Sequence, residues 1–157
     1  MGYIGIAWIV LLAIMAFFQL VAAKQQTKWR YYSTGKHAFR AVWAVLVFGV
    51  MFAVGGVPVN TIWAVVFAVV GLVLGFVTGR VCQTGTLEGK TALKRAPYAP
   101  WLLAIVYIAA FTFLFFGSAL LYSIGLLLVI FGVATDVGAI VAEIMKGSKG
   151  ASQPASA

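Results

Sequence analysis

The residues able to do chemistry are few. Of 157 residues only three are acidic, Glu88, Asp136 and Glu143, beside one histidine, His37, and one cysteine, Cys82. Asp136 is the most informative, because it lies inside a long apolar run. Counted back from Lys146 at about 1.5 Å per helical residue, it falls roughly 15 Å from the charged end, near a bilayer centre. A carboxylate there costs at least about 2.5–3.5 kcal/mol on insertion scales, so it must face a partner or water. Three roles follow: a proton- or cation-coupling site, a polar clamp between helices, or a carboxylic acid tolerated in its neutral form. Thr135 and Thr112 are the expected hydrogen-bond donors to it. No lysine or arginine falls inside an apolar run, which disfavours an ion pair.

Glu143 follows on a similar face of the same helix, two turns lower. It is close to Lys146, where an ordinary solvated carboxylate is the simpler reading than an inward-facing group with Gln19 and Arg40. A single cysteine excludes an internal disulfide, and a single histidine excludes a bis-histidine haem within one chain. No metal site is expected, and Cys82 has no base beside it in sequence, so it reads as inert. Gly89-Lys90-Thr91 lacks the earlier glycine and the strand–loop–helix setting of a phosphate loop. With no nucleophile elbow or zinc-binding helix motif either, no catalytic residues are expected.

The elements that must hold these residues are set by composition. The chain is 64% hydrophobic and 9% charged, against roughly 45–50% and about 25% in a soluble domain. Its mean hydropathy is +1.08. These values exclude a soluble enzyme, a disordered chain and a secreted disulfide scaffold, and they point to an integral membrane protein. A bilayer core of about 30 Å takes about 20 apolar residues per helix. Five such runs are present: 2–23, 41–57, 61–79, 101–117 and 120–145. They lack period-2 alternation, so helices rather than barrel strands are expected. A turn near Gly117-Ser118, with Gly125 as the other candidate, must separate the last two.

Charge orients the bundle. The formal net charge is +8, and all eleven Lys/Arg fall between spans one and two, between three and four, or after five. That distribution suits loops held against anionic lipid rather than nucleic acid, and it places the N-terminus outside and the C-terminus inside. Most interfacial aromatics agree; Tyr107, within span four, does not. The first span has no preceding basic residue and too long an apolar run for a cleavable signal peptide. The expected architecture is an all-α, five-helix transmembrane domain over 1–146, in a cytoplasmic (inner) membrane, with a disordered polar tail over 147–157.

Two surfaces suggest contacts. Gly71, Gly75 and Gly79 recur every fourth residue and make a groove without side chains, open to close backbone approach. Packing within one subunit, against the small stripe of Gly49 and Ala53 in span two, is the simpler reading; a contact between subunits is the sharper one. In the first inner loop Lys24, Lys28, Trp29 and Arg30 mix cations with aromatics, which suits anionic headgroups or a cytoplasmic partner. In the second, Gly85 and Gly89 suggest a short turn or small hairpin.

Gly79-Arg80, then Thr86-Leu87-Glu88-Gly89-Lys90 and an aromatic-led span at Trp101, resembles the organisation of CcdC-related proteins, small multi-pass proteins associated with cytochrome c maturation. The resemblance covers the third and fourth spans and their loop, and it carries no catalytic residues across. The expected function is a small non-enzymatic membrane subunit or accessory protein, packing in a larger assembly or homo-oligomer. The alternative is a small proton- or cation-coupled transporter or channel using Asp136. A lipid-directed enzyme ranks third, for want of a nucleophile–base pair.

Overall fold

The computed structural model describes residues 13–14, 16–17, 20–36, 38–39, 41–42, 45–46, 60–116 and 118–151. The first two expected spans fall mostly outside these residues, as do Gln19, His37, Arg40, Gly49 and Ala53. Three long helices dominate the rest: α1 over Thr61–Arg80, α2 over Tyr98–Phe116 and α3 over Ala119–Ala151. All three are long and apolar enough to cross a membrane.

Their ends follow from local chemistry. Asn60 caps α1, its side-chain oxygen accepting from the Ile62 amide at 2.9 Å. Pro100 sits in the first turn of α2, where its missing N–H leaves no intrahelical bond unmade. The apolar run from 98 to 145 would overshoot a bilayer as one helix. It is instead two helices, one ending at Phe116 and the next beginning at Ala119, and Ser118 opens the second by accepting from the Tyr122 amide at 2.8 Å. Gly125 lies within α3 and is not a break.

The chain is mostly helical but not all-α. Arg30–Tyr31 (β1), Gln83–Leu87 (β2) and Lys90–Lys94 (β3) form an antiparallel sheet in the order β1-β3-β2. The β2–β3 hairpin turns on Glu88 and Gly89, whose φ values of 51° and 74° are the paired positive angles of a type I′ turn. Gly89 provides the left-handed conformation freely, whereas Glu88 carries its strain with its carboxylate accepting from the Tyr31 hydroxyl. β1 belongs to the segment between the first two expected spans, pairing Arg30 with Leu93 and Tyr31 with Ala92. Such long-range pairing leaves no local pattern, which is why the expected hairpin lacked its third strand.

α3 is the most buried of the long helices. It runs parallel to α1, with Gly71 against Phe131, Gly75 against Thr135 and Gly79 against Ala139. A β-carbon on Gly71 or Gly79 would lie 2.6 Å from the opposing carbonyl oxygen, so only glycine permits this approach. The glycine groove thus lies against the fifth expected span, within the chain. α2 packs antiparallel on α3 through Gly125 against Ala110 and Gly132 against the ring of Tyr107, which accounts for a tyrosine away from the interfaces. α3 also continues to Ala151, so residues 147–151 are helical rather than part of a disordered tail. Gly147 is covered by the ring of Tyr32, and the Tyr32 hydroxyl donates to the Ile144 carbonyl at 3.2 Å.

Candidate functional site

β3 ends at Lys94, and the next residue, Arg95, turns inward between buried Leu93 and Ala96. Its side chain meets the C-terminal half of α3, where Asp136 and Glu143 stand on one face about 10 Å apart along the axis. A forked guanidinium can serve both. Arg95 Nη1 lies 3.1 Å from Asp136 Oδ1 and donates to Gln26 Oε1 at 2.6 Å. Its Nε donates to Glu143 Oε1, and its Nη2 lies 3.4 Å from Glu143 Oε2. Gln26 comes from the helical residues 20–26, so the network ties three separate parts of the chain together.

The network is dry. Arg95 is 6% exposed, Asp136 8% and Glu143 1%. Burial works against the charge of Arg95, but the attraction of Asp136 and Glu143 and their hydrogen bonds outweigh it, raising its pKa above the usual arginine range. No buried side-chain polar atom among the described residues lacks a hydrogen-bond partner. Below the network, Lys146 Nζ donates to the carbonyls of Arg80, at 3.1 Å, and Cys82, fixing α3 to the carbonyl end of α1. Cys82 is buried beneath this contact, and burial raises its thiol pKa above the ordinary 9.0.

The absence of a basic partner for Asp136, expected from the sequence, is corrected by Arg95. This residue lies outside every apolar run yet reaches the interior from the end of β3. Glu143, expected as a solvated interfacial acid, is almost fully buried against the same guanidinium. Thr135 and Thr112 are not donors to Asp136. Each hydroxyl has one proton and gives it to its own helix, Thr135 to Phe131 O at 2.7 Å and Thr112 to Ile108 O at 2.8 Å. A small cleft of about 20 Å³ beside Asp136, reached by Thr78, Thr135 and Arg95, has room for a single water.

The cation- and aromatic-rich segment 24–30 is divided. Lys24 and Lys28 are exposed, whereas Arg30 is in β1 and the Trp29 ring covers Gly85, with Lys94 Nζ 6.0 Å from its centroid. Arg95 was missed because a cation in the run Lys90, Lys94, Arg95 reads as loop charge, and Gln26 because a glutamine near a helix end ordinarily faces water. The available signal was two acids on one helix face, an arrangement that one forked donor can satisfy. The chain matches no family model, and no curated protein or solved structure matches it.

Proposed function

We propose that the chain is a small non-enzymatic integral membrane protein, a subunit or accessory that packs in a larger membrane assembly or homo-oligomer. The observation that carries this reading is the mutual commitment of Arg95, Asp136, Glu143 and Gln26. Polar groups so engaged lock the sheet onto the helices rather than await a substrate. On the side of α1 opposite its glycines, Ile62, Val66, Val69, Val73 and Val77 form an exposed apolar stripe suited to lipid or a neighbouring subunit. The basic loops favour an outside N-terminus and an inside C-terminus in a cytoplasmic membrane with anionic lipid. A CcdC-like accessory role is compatible with this reading. The mass of the detergent-extracted particle tests it: an oligomer or co-purifying subunits are expected, and a strict monomer without partners would overturn it.

A second reading, proton- or cation-coupled transport through Asp136, is favoured by the cleft beside that residue. Asp136→Asn in a liposome flux assay separates the two. Transport requires flux that falls with the substitution, whereas a packing role leaves no flux to lose.

A further inference from the structure

We propose that α1 and α3 form a binding site for one anionic phospholipid, with an acyl chain along Phe76 and the phosphate between Arg80 and Lys146. Two hollows on the outer face of this helix pair make the site. The upper is an apolar groove of about 290 Å³, walled by Leu72, Val73, Phe76 and Val77 of α1 and by Gly138 and Val141 of α3. The lower, of about 160 Å³, is lined by Arg80, Ala142, Met145 and Lys146.

Helix geometry joins the two. Leu72, Phe76 and Arg80 are successive i+4 neighbours on α1, and Val141 and Met145 are i+4 neighbours on α3, so both hollows lie along one seam. The Arg80 guanidinium stands 4.9 Å from the Phe76 ring centroid, directly at the join. From Leu72 to Arg80 the seam is about 12 Å long, close to the roughly 15 Å acyl depth of one leaflet. Gly138 lies where the two helices touch at the base of the groove: a β-carbon there would run into the Leu72 carbonyl.

The chemistry changes along the seam as it does along a lipid. The upper walls are hydrocarbon, and the lower pocket presents two cations and no acid. Lys146 uses two donors on the carbonyls of Arg80 and Cys82, leaving its third N–H for a phosphate oxygen. Arg80 is exposed and planar, suited to bidentate phosphate binding. An anionic headgroup is favoured over a zwitterionic one, whose own ammonium would meet both cations. The site stands whether or not the chain assembles with other subunits.

Native mass spectrometry of the full-length protein in detergent, titrated with phosphatidylglycerol or chain-matched phosphatidylcholine, tests the site. Phosphatidylglycerol should bind more tightly. Arg80→Gln should weaken it about fivefold, the worth of one cation at a membrane surface, whereas Lys28→Gln, an equal charge loss elsewhere, should not. Val141→Trp, filling the groove without altering charge, should weaken both lipids, and Val73→Trp replaces it if that variant fails to fold. Millimolar inorganic phosphate should not displace the lipid. Equal binding of the two lipids, equal loss with Lys28→Gln, or displacement by phosphate with no effect of groove filling would each overturn the proposal.

Discussion

Removing Arg95 alone should damage the protein more than removing its whole charged network. In Arg95→Met the aliphatic stem is largely replaced, but Asp136 and Glu143 lose the guanidinium that both contact. Breaking a buried ion pair by deleting one partner costs about 3–5 kcal/mol, because the remaining charge stays buried. Here one deletion deprives two carboxylates, so the upper part of that range applies. At roughly 2–4 °C per kcal/mol for a chain of this length, about 4–5 kcal/mol should lower the melting temperature by roughly 8–20 °C. Replacing all three ionic groups, in Arg95→Met/Asp136→Asn/Glu143→Gln, leaves no buried charge and should recover much of that loss. The assay is thermal unfolding of each purified variant in one detergent. A single variant within about 2 °C of wild type, or a triple variant less stable than the single, would refute the reasoning.

The other consequences are local. Gly75→Ala sets a methyl against the Thr135 backbone and should lower stability by about 1–3 kcal/mol in the same assay while leaving the particle mass unchanged, since this contact is within the chain. Cys82 should react with maleimide only after unfolding, because it is buried and its thiol pKa is raised. Its contribution to stability is therefore complete below the ordinary value of 9.0 and declines as pH rises through the higher folded value. The hydrogen bond to Glu88 raises the pKa of Tyr31 above 10.0, so its ultraviolet titration should move down towards that value in Glu88→Gln.

The three long helices among the described residues were legible in the sequence. α1 begins at the asparagine cap and ends at Arg80, as its apolar run requires, and the division into helices ending at Phe116 and beginning at Ala119 follows from bilayer thickness. The β2–β3 hairpin was foreshadowed by Gly85 and Gly89. The centre of the site was half legible: Asp136 demanded a partner, and Glu143 shared its face. The partner itself was not legible, because the inward turn of Arg95 depends on β3 pairing with strands on both sides, one of them some sixty residues earlier. Nothing local distinguishes that arginine from Lys90 and Lys94, whose side chains lie beside exposed Tyr31 and Trp29. Gln26 was hidden for the same reason, since a glutamine near a helix end ordinarily faces water.

The bridge from one guanidinium to two carboxylates can be measured in a bilayer by solid-state NMR. The full-length protein would carry ¹⁵N-arginine and ¹³C-labelled aspartate and glutamate side chains, with the Arg95 signal assigned by its loss in Arg95→Lys. Arg95 nitrogens in contact with one aspartate and one glutamate carboxyl carbon are required by the structure. Contact with neither, or with only one, would contradict it.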